Sequence, residues 1–349
     1  MLFEKISSFE NLLLAHNFAK QGNRHKEYAI KFEYNLENEI GRLVWELKNN
    51  RYRPSAYHHF IVSHPKMRAI AAPAFRDRVV QQSLVSIINP IFEKTFIYDS
   101  YACRKEKGTH FGAKRVKKFL KASHALYSDQ QVYVLQTDIK SFFASMSWGV
   151  LKKMITKKIK DPKTLHLINQ FITIHLISTT STQSNKEIKK VINTDKQKGL
   201  PIGNLTSQLF ANIYLNQLDH FIKEILRQHW YARYMDDFLI INRSKSELHQ
   251  VLKEISKFVN EQLELQLHPR KTVIYPVKNG VPFVGYRIFH DHTLIRANSL
   301  LRMQKRLKNK KQQLINKEIT QEEFEQSVSS FQGHLNHADS YWLQKQMFE

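Results

Sequence analysis

The chain has 349 residues, with 54 Lys and Arg against 31 Asp and Glu, a formal net charge of +23. A hydrophobic content of 42% and an aromatic content of 11% exclude a disordered tail, because a chain of this length and composition buries roughly three quarters of its unfolded surface. A single cysteine excludes a disulfide framework and a Cys-based zinc site, and the charge points to a phosphate backbone as partner.

In chain order, residues 8–49 read as two helices. Ser8 is the N-cap, Gly22-Asn23 the break, and Ile40, Leu43, Val44 and Leu47 recur at helical spacing. Arg51 to Ile70 reads as extended, since Pro54 and Pro65 block helix, and a helix over 78–92 is expected to stop at Asn89-Pro90. Arg104 to Lys121 carries eight Lys or Arg and one acid, with Phe111 and Phe119 among them; it reads as a backbone-contacting surface or a solvated face. Val132 to Leu135 is a buried-strand run leading to Asp138. Residues 151–177 read as helix, 178–198 as a polar loop rich in Ser, Thr and Lys, and Leu205 to Gln228 as helix again.

Two strands, Tyr231 to Ile241 with a bend at the middle, precede a helix over 244–262 and short strands over 271–290. From Ser299 the chain is helical, with Leu300, Met303, Leu307 and Leu314 as a packed stripe and seven Lys or Arg but no acid between 300 and 317. Strands interleaved with helices around an antiparallel hairpin predict an α+β fold. No run approaches the roughly 18 apolar residues of a membrane span. Glu4 stands where a signal peptide would be basic, so a cytoplasmic protein without a membrane partner is expected. The 17 His, including adjacent His58-His59, show no metal-ligand spacing.

The sharpest local feature is Tyr231-Ala-Arg-Tyr-Met-Asp-Asp-Phe-Leu-Ile-Ile241, in which Asp236 and Asp237 interrupt an apolar run. A plain hairpin turn favours Asn-Gly or Asp-Gly, and two charges flanked by apolar strands are costly without a cation. Asp138 joins them if its strand is a neighbour. Mg²⁺ takes one or two carboxylates plus substrate phosphates. Two such ions, roughly 3.5–4 Å apart, stabilise the attacking and leaving oxygens of an in-line phosphoryl displacement.

Tyr234-Met-Asp-Asp237 resembles the Tyr-X-Asp-Asp box of reverse transcriptases, and Asp138 with Phe142 and Phe143 resembles their first palm motif. Gly199-Leu-Pro-Ile-Gly-Asn-Leu-Thr-Ser-Gln208 is similar to the segment that supports incoming nucleotide and template. Lys66, Arg68, Pro73, Arg78 and Gln81 resemble the fingers motif, and Ser100-Tyr-Ala-Cys-Arg104 the next. His268-Pro-Arg-Lys271-Thr272 and Phe283-Val-Gly-Tyr286 resemble the last two palm motifs, and all stand in the family's order.

The resemblance implies a right-hand polymerase: a helical N-terminal extension over 1–50, fingers over 51–130, and a palm over 131–150 and 199–292. An insertion fills 151–198, and a basic helical thumb 293–349. It implies Asp138, Asp236 and Asp237 as catalytic carboxylates around two Mg²⁺ ions, or Mn²⁺ in their place, with Ile139 among the metal contacts. Lys271 would protonate the leaving pyrophosphate, or is a surface lysine. Lys66 and Arg68 would hold the triphosphate. Phe142, Phe143, Ile202, Gly203 and Gln208 would line the nucleotide site, Phe143 excluding a ribose 2′-hydroxyl so that dNTPs are preferred. Arg78, Arg104, Tyr234, Met235, Arg302, Lys305 and Arg306 would touch the template–primer duplex.

Within that superfamily, Leu200 to Ala211 followed by Asn212-Ile-Tyr-Leu-Asn216 is most similar to reverse transcriptases of diversity-generating retroelements, and Asp99 to Arg104, Lys107-Gly-Thr-His110 and Gly333-His-Leu-Asn-His337-Ala338 are also similar to them. Most reverse transcriptases carry Gln at the position of Ile202 and Ser-Pro at that of Ser207-Gln208. The resemblance implies copying of a template-repeat RNA into cDNA with misincorporation opposite adenines, alongside a small basic accessory variability protein that forms an oligomer. An apolar side chain at 202 leaves shape alone to discriminate the nascent pair, unless Ile202 is only a lineage marker. The alternatives are a phage-defence (abortive-infection) or retron-type reverse transcriptase, and a non-catalytic RNA-binding or maturase protein.

Overall fold

In the computed structural model, which describes residues 1–63, 67–127, 131–181 and 197–348, residues 8–49 form three helices where the sequence predicts two, and a short helix precedes them. They are α1 (Leu2–Ile6), α2 (Phe9–Ala19), α3 (Glu27–Tyr34) and α4 (Leu36–Lys48). The breaks have local causes. Ser8 caps α2 as expected, its hydroxyl accepting the Asn11 N–H at 3.2 Å, so a new helix begins just after α1 ends. Asn35, at φ −121°, parts α3 from α4.

A hairpin of β1 (His58–Val62) and β2 (Arg68–Ala72) fills the extended stretch. The following helix, α5 (Phe75–Glu93), runs through Pro90 instead of stopping before it. A proline in the last turn forfeits one backbone hydrogen bond, while Ile88 and Phe92 on either side of it stay buried. The single helix predicted over 151–177 is two, α8 (Trp148–Thr156) and α9 (Pro162–Ser181), after a short α7 (Phe142–Ser145). Asp161 makes the division: its carboxylate accepts the N–H groups of Lys163 at 3.1 Å and Phe3 at 2.8 Å, and Pro162 opens the new helix. Lys66 and most of the predicted polar loop, residues 182–196, lie outside the described residues.

Residues 1–97, 139–220 and 256–267 form one compact unit, in which α2 and α10 (Leu205–His220) both pack along α5 and α8 packs on α10. Residues 98–138, 221–255 and 268–349 form a second. The expected palm is divided between the two.

The second unit is built on α6 (Thr109–Tyr127) and a four-stranded antiparallel sheet of order β4-β5-β3-β6. Its strands are β3 (Tyr133–Asp138), β4 (Tyr231–Tyr234), β5 (Asp237–Asn242) and β6 (Val273–Pro276). Phe238 to Ile241 are all buried, so β5 reads as a continuous apolar run rather than an alternating one. β7 (Val281–Phe283), β8 (Tyr286–Ile288) and β9 (Thr293–Ile295) form a second antiparallel sheet. Val116, Leu120, Val134, Leu239 and Ile288 share one core between helix and sheets. A helix α11 (Lys245–Glu261) follows β5.

The basic helix α12 (Ala297–Ile315) has no fully buried residue. Its predicted stripe is half-buried, and it packs along α13 (Gln321–Leu335), the Arg306 guanidinium lying 5.9 Å from the Phe331 ring. α14 (Tyr341–Phe348) ends the described chain. No helix among the described residues is long and apolar enough to cross a membrane.

Asp77 on α5 is fully buried, and its carboxylate accepts the Tyr52 hydroxyl at 2.7 Å and the Ser55 N–H at 2.9 Å. Asp77→Ala strands both donors and is expected to lower stability by about 2–3 kcal/mol in chemical denaturation; an unchanged midpoint would refute that role.

Candidate active site

Three carboxylates reach one end of the four-stranded sheet through backbone pairing. β3 ends at Asp138, β5 begins at Asp237, and the antiparallel register sets these residues opposite each other. Tyr234 pairs with Asp237 in turn, so Met235 and Asp236 form a two-residue hairpin loop. Met235 has φ 58°, a left-handed conformation that costs a residue with a Cβ roughly 1–2 kcal/mol. Arg233 holds it there. This arginine is fully buried, and its Nη1 donates to the Met235 carbonyl at 2.9 Å.

The other edge of β4 is tied down as well. The Arg233 N–H donates to the Asp99 carbonyl at 3.0 Å, and the Tyr101 N–H donates to the Arg233 carbonyl at 3.0 Å. The Asp99 carboxylate collects the Tyr101 hydroxyl at 2.8 Å, Arg115 Nε at 2.9 Å and Lys223 Nζ at 3.2 Å. Arg104 Nη1 donates back to the Ser100 carbonyl at 2.9 Å. The segment Asp99 to Arg104 is therefore a brace for the hairpin that carries Asp236 and Asp237.

Lys271 arrives by a turn. The His268 N–H donates to the Asp138 carbonyl at 2.7 Å, and the His268 carbonyl accepts the N–H groups of Lys271 and Thr272, both at 3.1 Å. The Lys271 ammonium then forms an ion pair with the Asp138 carboxylate. Beneath it, the Thr137 and Thr272 hydroxyls lie 2.7 Å apart. The Gln136 amide donates to the Pro282 carbonyl at 2.7 Å, accepts the Tyr275 hydroxyl at 3.0 Å, and also hydrogen-bonds the Asp237 carboxyl.

Burial pushes the Asp237 carboxyl up to about 7. The negative charges of Asp138 and Asp236 add to that rise, while Gln136 and Lys271 work against it. Among the described residues, no three His, Cys, Asp or Glu side chains form a closed cage for a metal ion. The site nevertheless suits Mg²⁺ or Mn²⁺. These ions take hard oxygen donors and complete their shell with water and phosphate, and a carboxyl whose ionisation is opposed first by burial and then by the like charges of Asp138 and Asp236 is a place where a cation is favoured. The Ile139 side chain is a hydrocarbon with no donor atom, so only its backbone carbonyl could serve as a ligand.

The expected nucleotide-side residues other than Lys66 lie in the other unit, where backbone bonds draw several of them together. The Leu200 N–H donates to the Phe143 carbonyl at 2.8 Å, and the Gly199 N–H to the Met146 carbonyl at 2.8 Å. Phe142 is buried with its ring 6.4 Å from that of Tyr214, while Phe143 is half-exposed. The Ala71 N–H donates to the Ile202 carbonyl at 3.0 Å, docking residues 199–203 on β2. Gly203 has φ 119°, which strains a residue with a side chain, and a Cβ there would press at 3.2 Å on both the Ala71 carbonyl oxygen and Ile70 Cγ2, so glycine is favoured. Ile202 and Gln208 are half-buried, and Arg68 opens β2. Arg78 lies over the Tyr28 ring at 5.2 Å and donates to the Pro73 carbonyl at 3.1 Å. Arg302, Lys305 and Arg306 are exposed on α12.

Arg233 and Gln136 were not singled out by the sequence. The available signal was a lone charge inside the apolar strand from Tyr231, which is seldom buried without a task.

The family model for reverse transcriptase (RNA-dependent DNA polymerase) matches residues 59–288. Protein YkfC of Escherichia coli (strain K12) is 26% identical over 292 residues, covering 74% of this chain and 73% of YkfC. Group II intron-encoded protein LtrA of Lactococcus lactis subsp. cremoris is 22% identical over 317 residues, covering 72% of this chain and 50% of LtrA. The apo telomerase of Candida tropicalis matches with a TM-score of 0.52 at 14% identity, over 71% of this chain and 49% of that one. The shared fold is the right-hand polymerase fold, and the chain spans about half the length of LtrA and of the telomerase.

The Asp237 carboxyl carries a pH signature. It ionises near pH 4 in the unfolded chain and near 7 in the folded one, so between these values the folded state holds an extra proton and stability falls as pH rises. In metal-free protein, Asp237→Asn should therefore gain on the wild type between pH 5 and pH 8 by on the order of 2 kcal/mol. Denaturant unfolding at both pH values checks this, and a difference independent of pH contradicts it.

Proposed function

This chain belongs to the reverse transcriptase (RNA-dependent DNA polymerase) family, and from that premise we propose that it copies a template-repeat RNA into cDNA for a diversity-generating retroelement, with errors concentrated opposite adenines. The observation that carries this reading is the strap at Ile202. Its carbonyl is bonded to Ala71 and its neighbour Gly203 disfavours a side chain, so an apolar residue is held where most of the family presents an amide. Without that hydrogen-bonding group, discrimination rests on shape, which separates similar partners by modest factors.

Asp138 and Asp236, the Ile139 backbone and, in support, Asp237 would hold two Mg²⁺ ions, which when bound supply charge stabilisation at the attacking and leaving oxygens. The remaining roles belong to the chain's own residues. Lys271, already held at Asp138, gives a proton to the departing pyrophosphate. Lys66 grips the triphosphate as a point charge and Arg68 as a fork, and Phe143 bars a 2′-hydroxyl. Phe142 backs Phe143, and Gly203 and Gln208 border the nascent pair. Arg78, Arg104, Tyr234 and Met235 orient the template–primer duplex, while Arg302, Lys305 and Arg306 follow its backbone. An accessory protein that is itself basic would be repelled by a chain of charge +23, so template RNA is the natural bridge between them.

The relationship to LtrA favours a second reading, an enzyme of a group II intron type. Primer extension on RNA with Mg²⁺ and dNTPs, followed by sequencing of the cDNA, separates the two. Errors opposite adenines that fall roughly ten-fold in Ile202→Gln support the first reading, and uniformly faithful cDNA supports the second. Asp236→Ala should reduce synthesis by at least about 10³-fold; full activity in that variant overturns both.

A further inference from the structure

At the far end of β3 from Asp138, about 20 Å away along the strand, the second unit has a cleft of about 690 Å³ that the polymerase reaction does not use. Leu120, Val132 and Val277 give it an apolar lining. Two stacked ring pairs border it. The His124 and His290 rings lie 4.0 Å apart at 19°, and the Phe289 and His292 rings 4.3 Å apart at 14°. His124 and His290 are exposed, and Phe289 and His292 half-buried, so each pair can present a ring face to a further ring. Lys278 and Asp291 supply a cation and an acceptor; the Asp291 carboxylate already accepts the His292 N–H at 2.9 Å and faces Nδ1 at 2.8 Å.

A charged track leads there. Lys114, Lys117, Lys118 and Lys121 recur at spacings of three and four on α6, which places them on one helical face, and the next residue on that face is His124. The four span about 10 Å of helix axis. Lys114, Lys118 and Lys121 are exposed; Lys117 is half-buried, with Asp339 at 3.9 Å. Arg243 adds a cation at the Tyr127 ring, 5.8 Å from its centre.

We propose that this track and cleft bind single-stranded RNA outside the template–primer duplex, the lysine face of α6 following consecutive phosphates and the ring-lined cleft taking one unstacked base. The inference rests on the RNA-copying reading above. A lone nucleotide would have no use for four lysines in line, and a duplex keeps its bases stacked and out of reach of a cleft of this kind. Single strands are held by this combination of a basic track and ring faces.

Fluorescence anisotropy with a short labelled oligoadenylate, and in parallel with a blunt duplex, tests it on the full chain. His124→Ala with His290→Ala should weaken oligoadenylate binding roughly ten-fold, while His290→Phe, which keeps a ring, stays near wild type. Lys118→Gln with Lys121→Gln should reduce the slope of log affinity against log salt by about 1.4. Duplex affinity and extension of a primer annealed to a template with a short 5′ overhang should not change, and thermal melts show whether each variant is folded. Equal oligoadenylate affinity in folded ring variants, or parallel losses for oligoadenylate and duplex, overturns the proposal. Because binding is read without turnover, ring-dependent affinity in a chain that makes no cDNA would keep this site while sinking the polymerase reading.

Discussion

The antiparallel register of β3 against β5 places Asp138 directly across from Asp237, and the hairpin that follows β4 adds Asp236 to the same end of the sheet. Like charges gathered at the end of an apolar sheet repel one another and resist desolvation. The second unit is arranged around that conflict: an ion pair from Lys271 to Asp138, a hydrogen bond from Gln136 to Asp237, and an Asp237 carboxyl pushed up to about 7, chiefly by burial. These contacts ease the repulsion without cancelling it. What remains is a cluster of negative charge, the setting that two-metal phosphoryl transfer requires of its protein.

Strain at the hairpin is met in the same way. A methionine in left-handed conformation would relax if its neighbours allowed it, and the buried Arg233 side chain fixes the carbonyl of that residue. Arg233 is in turn fixed by backbone bonds to Asp99 and Tyr101, and Asp99 by Arg115 and Lys223. Precision at the carboxylates is thus supplied by charged groups well away from the chemistry, through contacts that no single motif discloses.

In the other unit, backbone bonds fix the path of residues 199–203. Backbone hydrogen bonds from Leu200 to Phe143 and from Ala71 to Ile202 hold the strap at both ends, and Gly203 allows its close approach to β2. Such a strap sets side-chain position through backbone geometry, so the identity of residue 202 can vary while its placement does not.

The chain order of the polymerase motifs, the three aspartates, the strands around them and the Ser8 cap were legible in the sequence, because each depends on local composition or short spacing. The sequence by itself determined the chemistry available: hard oxygen ligands, an apolar residue at 202 and a strongly basic surface. It misjudged the number of helices over residues 8–49, the continuation of α5 through Pro90 and the division at Asp161. In each case a cap or a buried face outweighed the expected pattern. Only the tertiary structure decided that Asp138 faces Asp237, that Lys271 reaches Asp138 and that Arg233 supports Met235. It also decided that lysines on α6 run towards a ring-lined cleft formed by residues more than a hundred positions apart. Register and burial are properties of chain segments brought together from a distance, and spacing within one segment carries no record of them.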